Sequence, residues 1–438
     1  MSELRELAAR CIFPSFPGAA APDWARRFLA GGGGGLVLFA YNVPSREELV
    51  ALCASLRAER DEILLAIDEE GGDVTRLEWQ TGSSYPGAAV LGEVDDFETT
   101  RAIGASIASE LAAAGINWNL APVADVNVPA NPVIGSRAFG SDAELVARHV
   151  AAFVRGTQAR GVAACAKHFP GHGSTEADSH LELPQLRGDV ADGLPPFAAA
   201  IDAGVRSIMT AHIRVGELPA TVDRAVIGGL LREQLGFDGV VLADALEMKG
   251  VSTMFGPVEA GVRALQAGCD AVIVGHDLGE SDVERLQSAL AARVDEARLR
   301  EAADRVDGLA AWARPQPEPA DRTMAVEAAR RAVLVEGDVS VDRGARIVEL
   351  RPVANIAAGE LEHALGAVVR EGEPVPAADV YIVRDAHRHE WMRTAADVEG
   401  AIVVETGLPV WRPRRARGYV AAFGAGRASL DAVSEVLS

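Results

Sequence analysis

An α/β fold is predicted: a (β/α)₈ TIM barrel followed by a small open α/β sandwich of shortened, flavodoxin-like type. Three observations predict it. Short apolar runs alternate with longer Ala/Leu/Arg/Glu-rich stretches of helical period, the signature of a parallel sheet built from βα units. Eight such runs precede a proline-rich break at Pro315-Gln316-Pro317-Glu318-Pro319, and about 320 residues suit a barrel with insertions. Residues able to do chemistry fall at the carboxyl ends of these runs, the edge at which barrels carry their active sites.

The runs lie at 11–16, 35–40, 63–67, 116–122, 162–166, 207–211, 239–243 and 271–274. Asp68, Asp125, Lys167-His168, His212 and Asp244 each stand at a strand end, and His276 follows the last run. The five glycines at 31–35 precede a strand and lack the Lys-Ser/Thr of a phosphate loop, so they read as a flexible connection. After the proline-rich break a helix-like stretch at 321–333 leads into a second unit with runs at 346–350, 379–383, 401–405 and 419–423. The predicted boundaries are therefore 1–320 for the barrel, 321–345 for a linker and helix, and 346–438 for the small α/β unit. Within that unit, His387-Arg388-His389-Glu390-Trp391 reads as an exposed loop, and Trp411–Arg417 as a solvated basic run.

The chain has 438 residues, is 49% hydrophobic and 24% charged, and carries a formal net charge of -21. It can bury a large core, and its acidity excludes an extended nucleic-acid or anionic-membrane face, which needs clustered Lys and Arg. No run approaches the ~18 apolar residues of a membrane span. The charged, helix-like start lacks a signal-peptide core, and the four scattered cysteines have neither zinc nor disulfide spacing. A cytoplasmic protein with buried thiols is expected.

The segment Lys167-His168-Phe169-Pro170-Gly171-His172-Gly173-Ser174-Thr175-Glu176-Ala177-Asp178-Ser179-His180 gathers three imidazoles into a Pro/Gly loop behind an apolar strand. If the loop turns at Ser179, the Asp178 carboxylate can accept from one ring nitrogen of His180, orienting it as a general acid/base. Asp244, set between a buried strand and Ala245-Leu246, is partly desolvated and suits a nucleophile or a helix cap. Asp68 and Arg76 flank a Gly-Gly turn, and Arg137 follows another Pro/Gly loop; such donors and acceptors bind vicinal hydroxyls, or pair internally. A metal site built from His168, His172, Asp178, His180 and His212 is the competing reading, weakened by the Lys167 ammonium beside His168.

Taken together these motifs resemble the β-N-acetylglucosaminidase (β-hexosaminidase) branch of glycoside hydrolase family 3, across the whole barrel and most closely at 167–180. The resemblance implies Asp244 as nucleophile, His180 as acid/base and Asp178 as its partner, with Asp68, Arg76, Arg137, Lys167 and His168 binding the N-acetylglucosamine unit. It implies a retaining hydrolase of terminal β-linked N-acetylglucosamine in muropeptide or chitin-type fragments, with a small carbohydrate as the only partner and no metal or organic cofactor. Ser174 replaces the usual Asp, Glu69-Glu70 and Asp73 stand where Gln-Glu and Arg are frequent, and Ala243-Asp244-Ala245 replaces Ser-Asp-Asp. A phosphorylase or β-glucosidase on the same barrel, a non-catalytic sugar-binding barrel and a metal-dependent amidohydrolase are the alternatives; the oligomeric state is open.

Overall fold

The computed structural model describes residues 3–354 and 364–438. Eight parallel strands form the first sheet: β1 (Ile12–Pro14), β2 (Gly35–Leu38), β3 (Leu64–Ile67), β4 (Trp118–Asn119), β5 (Ala163–Phe169), β6 (Ser207–Thr210), β7 (Val240–Ala243) and β8 (Ala271–Val274). Their order, β1-β8-β7-β6-β5-β4-β3-β2, is that of a nearly closed barrel. Alternation along each strand separates two cores. Leu64 and Ala66 of β3 turn inward with Phe13, Trp118 and Leu242, whereas Leu65 and Ile67 face the helices. Phe13 meets Trp118 edge-on at 5.2 Å, and the indole N–H donates to Ser207 Oγ at 2.7 Å, so the one polar atom of that ring is satisfied in the barrel interior.

The glycine run is not a flexible connection. A β-carbon on Gly34 would lie 2.1 Å from the Arg10 carbonyl oxygen, and one on Gly35 would lie 1.9 Å from that of Leu64. The Gly34 N–H donates to Ala9 O at 3.1 Å. These glycines let β2 close against the end of the first helix (Glu3–Arg10) and against β3, where any side chain would hold the backbones apart.

Helices on the outer face carry ordinary start and stop signals. The longest, Phe97–Ala114, begins at Asp96, whose carboxylate accepts from the Glu98 and Thr99 amides, and ends at Gly115 in the left-handed region. After β8, the helices Glu280–Arg293 and Glu296–Trp312 complete the ring.

The second sheet contains β9 (Leu334–Gly337), β10 (Ile347–Arg351), β11 (Ala367–Arg370), β12 (Val380–Val383), β13 (Ile402–Glu405) and β14 (Gly418–Ala421), in the order β9-β14-β13-β12-β10-β11. Only β9 is antiparallel to its neighbour. The segment 321–345, read from the sequence as linker and helix, thus also supplies an edge strand. One face of this sheet, through Tyr381, Val383 and Val403, packs on Ala89 and Val90 of the barrel. The other, through Val380, Ile382 and Val404, is covered by the C-terminal helix Arg427–Leu437. Both faces are apolar, as a parallel sheet between two layers requires.

The turn at His387 is a contact with the barrel and not a solvated loop: its ring Nε2 lies 2.8 Å from the Pro129 carbonyl and Arg388 reaches that of Pro132 at 3.3 Å. The basic run 411–417 is tied down in part, Arg412 by Glu336 and Arg417 by the Ser340 and Gly400 carbonyls. All four cysteines are free and buried. Burial pushes the Cys53 and Cys165 thiols up to about 12, which keeps them unreactive. Among the described residues no helix is long and apolar enough to cross a membrane.

Candidate active site

The carboxyl ends of the barrel strands enclose a cavity of about 690 Å³. Seven of the eight site residues expected from the sequence line it: Asp68, Arg76, Arg137, Lys167, His168, His180 and Asp244. Asp178 lies behind His180. Phe39, Tyr41, Trp79 and His276 form an aromatic side of the same cavity, with Tyr41 stacked on Phe39 at 5.5 Å.

Strand β5 runs further than its sequence pattern indicates and contains Lys167 and His168. The pairing register with β6 shifts between Ala166 and Phe169, and both polar side chains reach the cavity. Lys167 is 2% exposed. Its Nζ lies 2.5 Å from Asp68 Oδ1 and 2.7 Å from Glu70 Oε1. Glu70 in turn accepts two parallel bonds from Arg137, at 2.8 and 2.9 Å. Burial alone would favour neutral Glu70, but the charges of Arg137 and Lys167 outweigh it and hold the carboxyl far below its usual range. Burial likewise opposes the Lys167 ammonium, and Asp68 and Glu70 reverse the effect. The result is a buried cluster in which Lys167 and Arg137 are each met by an opposite charge.

Glu70 was missing from the residues singled out by sequence. It and Glu69 are indistinguishable as a pair, yet only Glu70 lines the cavity; Glu69 turns away and accepts the Arg76 and Leu77 amides. Strand-end alternation is the signal that could have separated them.

Asp125, wholly buried at the end of the fourth strand segment, accepts from His168 Nδ1 at 2.8 Å and from the His172 amide at 2.6 Å. His172 has both ring nitrogens engaged, Nδ1 by Thr175 Oγ1 and Nε2 by Ser179 Oγ, each at 2.9 Å. Burial lowers its pKa to about 4, so it is neutral at physiological pH. Asn131 crosses the same loop, donating to the carbonyls of His172, Gly173 and Thr175. His212 is engaged on both sides too, by Thr221 Oγ1 and by the Ala245 carbonyl. With these nitrogens committed to protein partners, the His/Asp set is arranged as a hydrogen-bonded scaffold, and among the described residues no three or more His, Cys, Asp or Glu converge to hold a metal ion.

At the tip of the loop the arrangement changes. His180 Nδ1 lies 2.7 Å from Asp178 Oδ1, and the His180 amide donates to the same oxygen at 2.8 Å, closing the turn through Ser179. Burial opposes ionisation of Asp178, and the bonds and charge of His180 more than compensate, holding the carboxyl below its usual range. A carboxylate on Nδ1 puts the exchangeable proton on Nε2. Asp244 is also held as a carboxylate: burial resists, while His212, His168, His180 and the Ala245 amide favour the charge. Its Oδ1 accepts that amide at 2.8 Å.

A cavity of this size offers one fixed carboxylate, one imidazole oriented by a second carboxylate, and a clamp of paired charges for hydroxyl groups. A family model described as the glycosyl hydrolase family 3 N-terminal domain matches residues 22–309. The chain belongs to glycosyl hydrolase family 3. Within that family, a beta-hexosaminidase of Bordetella avium is 39% identical over 269 residues, covering 58% of this chain and 77% of the relative. A family 3 beta-N-acetylglucosaminidase from Paenibacillus superposes with a TM-score of 0.87 at 29% identity, over 100% of this chain and 97% of the other. A Neisseria gonorrhoeae NagZ solved in complex with N-trifluoroacetyl-D-glucosamine matches 68% of this chain and 97% of its own, with a TM-score of 0.58 at 29% identity. The family 3 architecture therefore extends through both sheets.

Proposed function

We propose that this family 3 enzyme is a retaining β-N-acetylhexosaminidase that removes terminal β-linked N-acetylglucosamine by double displacement. The observation that carries the reading is the 2.7 Å hydrogen bond that Asp178 accepts from Nδ1 of His180, which lines the same cavity as Asp244. In the first step Asp244 attacks the anomeric carbon while His180 gives its Nε2 proton to the leaving oxygen, forming a glycosyl-enzyme. In the second, neutral His180 takes a proton from water, which displaces Asp244. Asp178 does not exchange the proton; it holds the ring and steadies the imidazolium.

The sugar is held by Asp68, Arg76, Arg137, Lys167 and His168. Because Lys167 and Arg137 are already locked to Glu70, they meet hydroxyl and amide groups without reorganising, which is the condition for strong electrostatic binding. The buried, unreactive thiols suit a reducing cytoplasm, and carbohydrate fragments of cell-wall or chitin type are the substrate class.

The test is p-nitrophenol release from the β-N-acetylglucosaminide and the β-glucoside, with and without phosphate. The expected result is fast turnover of the N-acetylglucosaminide, indifferent to phosphate and reduced about 10⁴-fold in Asp244→Asn, as for loss of other covalent nucleophiles. Turnover that survives the substitution would remove Asp244 from its role, and a sugar phosphate among the products would make the enzyme a phosphorylase.

A further inference from the structure

The nucleophile and the acid reach the cavity by different routes. Asp244 follows directly on strand β7, so the barrel itself places it, with its Oδ1 on the Ala245 amide. His180 stands on a loop, outside any strand or helix. A double displacement needs the two groups at one fixed separation, about 5 Å for paired carboxylates. The loop must therefore be fixed at the level of His180, and not only at its base.

Ser179 meets that need from two directions. Its carbonyl accepts from the Gly250 amide at 2.9 Å. Gly250 lies in the first turn of the helix Lys249–Phe255, where amides have no partner within the helix, and that helix continues the segment that begins at Asp244. The Ser179 hydroxyl lies 2.9 Å from His172 Nε2 at the loop base. Because the Thr175 hydroxyl donates to the His172 carbonyl at 3.0 Å, Nδ1 carries the ring proton and donates it to Thr175 Oγ1, leaving Nε2 to accept from Ser179. Ser179 is 2% exposed, so both bonds are made away from bulk water.

The contact also explains why residue 250 is a glycine. A β-carbon there would lie 2.9 Å from both the β-carbon and the carbonyl oxygen of His212, and 3.0 Å from the Ser179 carbonyl oxygen. His212 is itself fixed, by Thr221 and by the Ala245 carbonyl. The backbone that carries Ser179 is thus the side that has to yield to any added atom. Gly250 lets the acid-bearing loop and the nucleophile-bearing segment meet backbone to backbone.

We propose that Ser179 and Gly250 form a rivet between these two segments and set the reach of His180 toward the leaving oxygen. Both are positioning residues that act through His180. The proposal rests on His180 being the acid/base and Asp244 the nucleophile. It implies that proton transfer can be lost while Asp178, His180, Asp244 and the sugar clamp all remain in place.

The experiment uses the full chain, the variants Ser179→Ala and Gly250→Ala, and two substrates that share the N-acetylglucosamine unit. One is a β-linked N-acetylglucosamine disaccharide, whose leaving sugar must be protonated; the other is the dinitrophenyl glycoside, whose leaving group needs no proton. Ser179→Ala removes one of the two bonds and is expected to lower kcat/KM for the disaccharide about tenfold. Gly250→Ala shifts the backbone and should lower it about a hundredfold, the scale of a misplaced catalytic group. The dinitrophenyl glycoside should lose less than about threefold in kcat/KM, because its first step does without the acid. Added azide, a nucleophile that needs no general base, should raise kcat on that substrate in both variants and not in the parent. Inhibition by free N-acetylglucosamine should stay within about twofold of the parent, since the clamp is untouched. Equal losses on the two substrates, without a response to azide, would overturn the proposal as general damage to the site. Undiminished disaccharide turnover in Ser179→Ala would overturn it as well, and that variant decides the matter if Gly250→Ala does not fold. A parent enzyme that fails on both N-acetylglucosaminides would instead sink the hydrolase reading on which the proposal stands.

Discussion

The base and the tip of one loop treat the same side chain in opposite ways. At the base, His172 is buried, bonded through both ring nitrogens, and depressed in pKa to about 4. At the tip, eight residues on, His180 is part-exposed, bonded through Nδ1 to a carboxylate, and faces the cavity. The clamp beneath them, Asp68-Lys167-Glu70-Arg137, resembles the base: every charge there is met at least once inside the protein. The difference separates groups that hold geometry from groups left able to exchange a proton. An imidazole becomes a catalyst through what its neighbours leave open.

The largest expected effect breaks the tip. His180→Gln should lower kcat for a poor leaving group by about 10³-fold or more while the melting temperature stays within roughly a degree or two, because general acid/base groups are worth about 10²–10⁴ and this side chain supports little packing. An activated aryl leaving group, which needs less protonation, should lose less. A large fall in melting temperature would place His180 with the scaffold.

Breaking the clamp should give the reverse pattern. Glu70→Gln leaves Arg137 buried with a neutral partner and Lys167 with Asp68 as its remaining carboxylate, and loss of one member of such a cluster costs about 3–5 kcal/mol. Denaturant unfolding should show the loss, and KM should rise more than kcat falls. An unchanged midpoint would mean that the clamp is not a structural unit.

The smallest effect sharpens the comparison by pH. The folded pKa of His172 lies at about 4, below the 6.5 of the unfolded chain. The unfolded state therefore takes up the proton first, so stability is unaffected above about pH 6.5 and falls as pH drops from there toward 4. A shift of that size corresponds to about 3 kcal/mol. Replacing His172 by Gln should flatten this acid slope in unfolding experiments; an identical slope would assign the pH dependence to other groups.

The barrel and its chemical edge were readable because each strand is a buried apolar run ending in a polar residue, and Asp68, the Lys167-His168 pair and Asp244 stand at three such ends. What escaped reading depends on partners far along the chain. β9 and β11 are edge strands with mostly exposed residues, so no apolar run marks them. The glycine run looked flexible because its reason, the carbonyls of Arg10 and Leu64, is invisible in its own composition. Glu70 could not be told from Glu69 without knowing which way each points. The length of β5 was underestimated because Lys167 and His168 are polar, and they are tolerated in the strand only by the opposing carboxylates.

Asp73 carries a consequence for how the molecule moves. Its carboxylate, 6% exposed, accepts from Ser136 of the barrel at 2.6 Å, from Arg384 at 2.8 Å and from the Ala425 amide at 2.7 Å. Swinging the second sheet away from the barrel would strip that anion of two of its three donors without returning it fully to water. Hinge opening between the halves is thereby disfavoured, and a sugar must enter through the open end of the barrel while the second sheet stays seated as a fixed wall.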